Sequence, residues 1–308
     1  MTKALITFGC SWTFGVGVGY KESMSFDDYF NINQSVLLAD QYSFRRILSQ
    51  RYRFNNINFS QGGSSNQRQL RFAKNFFSST QFQKLLNTAD EIVVLWGITS
   101  TARTEVFSAV ENVVKTMNFN LVKQDYLTRN IGKHFYNHEH EMFMLAHEIA
   151  HWNMFFKSVG IKNYWYDTFN HHDYTINNPA LVNFEKSYNE LAESSWPSWS
   201  DYVDKKIQIN DNILDPSQYE FDQYVNRVSI DNFVIDQLQD RDLMSQLVIR
   251  NGASDINPGY HESTWRIDDD RVEWLVDQKL LNPHSFHPTK LGHEQIANMF
   301  DHLFEKTS

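Results

Sequence analysis

The first element of the chain is Lys3-Ala4-Leu5-Ile6-Thr7-Phe8, an apolar run that stops at Gly9-Cys10-Ser11. A run this short cannot span a membrane, and its near-continuous apolarity suits a strand enclosed on both faces. Strands of that kind belong to parallel sheets covered by helices. The pattern returns along the chain. Residues 56–60, 91–97 (EIVVLWG) and the stretch GIKNYWYDTF after Gly160 read as further strands, while 40–52, 66–87, 140–158 and 289–305 read as helices. This alternation predicts an α/β fold, a three-layer α/β/α sandwich with a mainly parallel, flavodoxin-like sheet. The stretch from about 170 to 280 is rich in Asp, Asn and aromatics and loses the rhythm. It is expected to be a large insertion or cap on a single domain spanning residues 1–308.

Ligands of such sheets sit at the carboxyl ends of the strands. Three strand ends bring small polar residues there: Ser11, Gly62-Gly63 and Thr99-Ser100. Ser11 follows Gly9 at a tight turn, where a hydroxyl can be exposed as a nucleophile. It could equally cap a helix. In SQGGSSN, Gly63 lets backbone N–H groups approach a ligand, and Asn66 adds a side-chain contact. Arg103 and Glu105 follow the third strand and read by themselves as a solvated ion pair.

Composition narrows the function. A net charge of −9 argues against nucleic acid and against anionic membranes as partners. No apolar run reaches the roughly 18 residues of a membrane span, and ALITF is too short for a signal peptide, so a cytoplasmic location is expected, or a virion if the chain is encoded by a virus. The one cysteine, Cys10, excludes an intrachain disulfide framework. Aromatic residues make up 15% of the chain, which suits a dense core and leaves rings to spare for a sugar or a protein partner.

Near the end, HSFHPTKLGHE places His287 before Pro288, where Pro can open the last helix and present the imidazole as a general base. In order, ITFGCSWTFG, GGSSN, the WGITSTARTE block and HPTKLGHE resemble the SGNH/GDSL hydrolase family, above all a branch often encoded by tailed bacteriophages. The resemblance covers roughly residues 1–105, 140–170 and 280–305. It implies Ser11 as nucleophile and first oxyanion donor, Gly63 as second donor, and His287 as general base. The family's third donor is an Asn in a G-x-N-D block, and here Thr99 takes that slot. Asn66, His284 and Arg103 are accessory candidates. The acid that usually precedes the histidine is missing, since His284, Ser285 and Phe286 stand there. An acid from Asp268-Asp269-Asp270 could reach in; a Ser-His dyad or a retired site is favoured, with weak activity at best.

The resemblance therefore implies a serine esterase without cofactor, acting on a small acyl ester such as an O-acetyl group of a glycan. The alternative is a phage-encoded structural or binding protein that keeps the fold, with a virion or protein partner docked through the insertion. A third reading comes from His147-Glu148-Ile149-Ala150-His151, an HExxH pattern that on a helix can hold zinc, with His171-His172-Asp173 as a source of a third ligand. No HxxGxxH continuation follows it, and no metal is expected.

Overall fold

The computed structural model describes residues 2–32, 35–119, 131–132, 136–169, 207–209, 212–214, 243–253 and 270–305. Most of the expected insertion at 170–280 lies outside the described residues, as do His171, His172, Asp173, Asp268 and Asp269. The chain divides into two compact units. One comprises residues 1–136, 156–171 and 232–308, the other residues 137–155 and 172–231.

The first unit holds a parallel sheet of four strands, β1 (Lys3–Phe8), β2 (Phe54–Asn58), β3 (Glu91–Ile98) and β6 (Lys162–Asp167), in the order β2-β1-β3-β6. Between β1 and β2 lie α1 (Ser11–Phe14), α2 (Phe26–Ile32), α3 (Val36–Tyr42) and α4 (Phe44–Tyr52). Between β2 and β3 lie α5 (Asn66–Phe77) and α6 (Thr80–Thr88). After β3 comes an antiparallel hairpin, β4 (Arg103–Ser108) and β5 (Val113–Asn118), then α7 (His138–Ser158), which leads into β6. The unit closes with α8 (Leu243–Arg250), α9 (Asp270–Asp277), α10 (Lys290–Phe300) and α11 (His302–Glu305). The expected α/β fold with a mainly parallel central sheet between helices is the one found.

Register explains the layers. Phe8 pairs with Trp96, and Trp96 with Trp165, so these side chains share one face of the sheet. Their rings stack at 4.6 and 4.4 Å, with Phe59 on the far side of Phe8 at 5.1 Å. Phe76 and Phe77 of α5, Phe82 of α6 and Phe156 at the end of α7 close over that face. One residue further along, Tyr166 of β6 points to the opposite face and meets Phe44 of α4 and Phe300 of α10. Aromatic cross-strand pairs of this kind stabilise a sheet beyond their buried area.

Two expected helices are interrupted by serines. Ser43 separates α3 from α4, and Ser79 caps α6 by accepting a hydrogen bond from Phe82 N. At Ser79 the short hydroxyl side chain binds a nearby backbone N–H and so starts the helix; at Ser43 the break is made by the extended backbone, ψ 152°, with no side-chain cap. The β4–β5 hairpin was not expected at all.

The second unit is described in two pieces: residues 137–155, which hold most of α7 and in which Met142, Leu145, Ile149 and Trp152 are buried, and a short antiparallel pair, β7 (Ile207–Ile209) and β8 (Asn212–Leu214). His147, Glu148 and His151 lie on this part of α7. Among the described residues, no three His, Cys, Asp or Glu side chains are grouped to hold a metal. No helix among them is long and apolar enough to cross a membrane.

Candidate active site

Ser11 opens α1 directly beyond the carboxyl end of β1 and is 6% exposed. As the first residue of the helix, its N–H has no intrahelical acceptor. The single turn is closed by Gly15 N and Val16 N, which both donate to Ser11 O at 3.0 Å. Gly15 adopts φ 106°, a left-handed conformation open to glycine at little cost. Gly9 has a different reason to be glycine: a Cβ there would overlap the Thr13 side chain. Thr13 in turn shares a 2.6 Å hydrogen bond with Tyr166, so α1 is seated on the strand ends.

The loop after β2 is tied to this turn by Gln61 N, which donates to Gly9 O at 3.2 Å. Gly63 stands in the loop at φ 72°, with open space where a Cβ would project. Asn66, at the start of α5, reaches across to β3. Its Oδ1 accepts from Thr99 N at 2.9 Å, and its Nδ2 donates to Thr99 O at 2.8 Å. The Thr99 amide is therefore occupied, and only its hydroxyl can donate to a ligand. Arg103 Nη1 donates to Thr99 Oγ1 at 3.1 Å, which leaves that hydroxyl proton free to point elsewhere.

Arg103 and Glu105 do not pair. Glu105 is held by Arg71 through two hydrogen bonds of 3.0 and 2.7 Å. The Arg103 guanidinium lies over the Phe169 ring at 5.6 Å, and Phe169 packs edge-on against Trp12, the neighbour of Ser11. Arg103 is also close enough to His287 to lower its pKa.

His287 lies on a loop pinned at its base by a bridge between Leu281 and Pro288. Pro288 does not open the last helix. Thr289 is the N-cap and accepts from Gly292 N at 3.2 Å, because a hydroxyl can take an orphan amide and the Pro ring cannot. The loop docks on Gly17, at φ 100°, where a Cβ would come within 2.5 Å of Pro288 O and 2.9 Å of His287 Cβ. That contact sets His287 against the segment leaving the Ser11 turn. The partner of Nδ1 is Ser285 Oγ at 2.9 Å. Desolvation pushes the imidazole pKa down to about 3. Arg103 adds to the shift, and a backbone interaction with Ser285 opposes it.

His284 turns away from His287. Its Nε2 faces Met24 O at 3.2 Å, and its ring packs among Tyr20, Phe26 and Tyr29. Asp270, the described member of the acidic run, sits exposed at the start of α9. Tyr29, Asn282 and Ser285, which surround His287, were missed. Asn282 and Ser285 lie in the same NPHSFHP segment as His287, but nothing in the sequence marks Tyr29 as their neighbour.

No family model and no curated protein matches the chain. Solved structures do. A lipase/acylhydrolase from Enterococcus faecalis is 10% identical, with a TM-score of 0.39 over 99% of this chain and 97% of that one. A catalytic mutant of an acetylxylan esterase from Geobacillus stearothermophilus is 13% identical, with a TM-score of 0.36 over 99% and 94%. An acetyl xylan esterase from the rumen bacterium Butyrivibrio proteoclasticus is 11% identical, with a TM-score of 0.33 over 63% and 53%. These likenesses are too distant to bear on the site, whose chemistry rests on the residues above.

Proposed function

We propose that the chain is a serine ester hydrolase of SGNH type. The observation that carries this reading is the seating of His287 against Gly17, in the segment that leaves the Ser11 turn, on the strand edge where Gly63 and Thr99 also lie. Ser11 Oγ attacks the ester carbonyl carbon while His287 Nε2 takes its proton. The N–H groups of Ser11 and Gly63 and the Thr99 hydroxyl, polarised by Arg103, hold the oxyanion. The C–O bond to the alcohol then breaks, and the alcohol leaves with the proton from His287. Water, deprotonated by the same imidazole, attacks the acyl-serine; the acyl C–Oγ bond breaks, Ser11 Oγ takes the proton back from His287, and the acid is released. A small acyl ester is the favoured substrate class, with an O-acetyl group on a glycan as the specific form.

The competing reading, a binding protein that keeps the fold with little turnover, draws on one observation: Nδ1 of His287 meets a hydroxyl at 2.9 Å rather than a carboxylate. Labelling with a fluorophosphonate, alongside turnover of an aryl acetate, separates the two. The enzyme reading expects one label per chain, carried by Ser11, with labelling and turnover both abolished in Ser11→Ala at unchanged melting temperature. An unlabelled wild-type protein without turnover leaves the binding reading standing.

A further inference from the structure

Among the described residues, side chains around His287 form a hydrogen-bonded network. Asn282 is fully buried, and its Oδ1 accepts from Ser285 N at 2.8 Å. A backbone N–H can only donate, so this bond fixes which end of the amide is oxygen. Nδ2 then donates to His287 O at 2.8 Å and to Tyr29 Oη at 3.3 Å. Ser285 Oγ lies 3.1 Å from Asn282 Oδ1, an amide oxygen that can only accept, so the Ser285 hydroxyl is placed to donate to it. That leaves Ser285 Oγ with acceptor capacity only. It receives the Tyr29 hydroxyl at 2.5 Å and, at 2.9 Å, the N–H of His287 Nδ1. With the Ser285 proton on Asn282 and the Tyr29 proton on Ser285, the imidazole proton falls on Nδ1, leaving Nε2 as the lone-pair nitrogen. Between the two partners, Phe286 adopts φ 55°. A bulky residue in the left-handed region is strained. The Phe286 N–H, bonded to Asn282 O at 2.9 Å, helps to hold it there.

We propose that Ser285, locked by Asn282 and Tyr29, is the positioning residue of His287: its hydroxyl fixes the Nδ1–H tautomer and the ring's orientation, in the place where a carboxylate would also supply charge. The consequence for turnover rests on the esterase reading; the tautomer does not. The network is neutral throughout, so it orients the ring but does nothing to stabilise an imidazolium. Among the described residues, the charged or titratable groups that act on the ring are Arg103 and His293, with Tyr29 behind Ser285. None of these three groups brings a negative charge at neutral pH.

The test combines nitrogen-15 imidazole NMR on the resting protein with aryl acetate kinetics on wild type, Ser285→Ala, Ser285→Thr and Ser285→Asp. In wild type, His287 is expected as the Nδ1–H tautomer. Ser285→Ala should mix the tautomers and lower kcat about tenfold, the worth of one hydrogen bond, with KM within about twofold. Ser285→Thr, which keeps the hydroxyl, should restore the tautomer and the rate. Ser285→Asp should raise the His287 pKa toward its ordinary range and raise kcat by at least about tenfold. An Nε2–H tautomer in wild type, or an Nδ1–H tautomer and kcat both untouched in Ser285→Ala, overturns the proposal. Should Ser285→Ala fail to fold, the wild-type tautomer and Ser285→Asp still decide. Absence of turnover in every variant sinks the esterase reading, while the NMR result continues to decide the role of Ser285.

Discussion

The two halves of the candidate site are built by different means. The Ser11 half is a backbone construction: a buried strand, one helical turn, and glycines at 9 and 15 where no side chain or no right-handed conformation fits. The His287 half has almost no regular structure. One bridge between Leu281 and Pro288 closes the loop, and the Asn282 side chain holds its interior. The first half should tolerate loss of its functional side chain yet fail when its glycines are filled. The second should fail when a polar side chain is removed.

The largest expected effect is at Gly9. Gly9→Ala sets a methyl into the Thr13 side chain, which is fully buried and bonded to Tyr166, and should cost about 3 kcal/mol by thermal or urea unfolding. Next is Asn282→Ala, which takes the acceptor from the Ser285 N–H and hydroxyl, leaves the His287 carbonyl only the backbone N–H of residue 282, and should cost about 2 kcal/mol. Equal losses at Asn282 and at the Ser11 side chain would dissolve the contrast between the halves.

The last effect vanishes at neutral pH and appears only on acidification. His287 and His293 have pKa values pushed down to about 3, in both cases chiefly by desolvation. His293 is fully buried in α10, where its Nδ1 accepts from Phe44 N at 3.3 Å and the Arg45 guanidinium adds to the shift. Unfolded histidines protonate near the ordinary value of about 6.5, so between there and pH 3 the unfolded chain holds more protons. The stability that these two groups contribute is complete above about pH 6.5 and falls as pH drops toward 3, with a limiting slope of two protons. His293→Gln should remove one proton from that slope and leave any turnover in place, which distinguishes a histidine that packs from one that works. A slope unchanged in His293→Gln would show that its folded pKa is ordinary.

The contrast between the halves also explains what the sequence made legible. The apolar runs ending at Gly9 and Gly97 could be read because burial on both faces and a tight turn each restrict residue type locally. The interruptions at Ser43 and Ser79 were read through, because an N-cap serine looks like any polar residue on a helix surface. The hairpin Arg103–Asn118 escaped because its exposed strands mix charged and apolar residues on both faces. Ser11 and His287 carried recognisable spacing; their supports did not. Tyr29 meets Ser285 across 256 residues of chain, and Asn66 grips the Thr99 backbone rather than a ligand. Contacts like these depend on the fold being complete, and no local pattern announces them.

The Trp96–Trp165 pair gives the sheet an optical signature. Two indoles stacked 4.4 Å apart on neighbouring strands couple their electronic transitions, and a chiral arrangement of coupled transitions yields a paired positive and negative band in circular dichroism. That band requires β3 and β6 to be in register. It therefore reports the docking of one strand on another, separately from the helical signal that dominates the rest of the spectrum. Denaturation followed at both signals would show whether the sheet's edge parts from its centre before the helices melt.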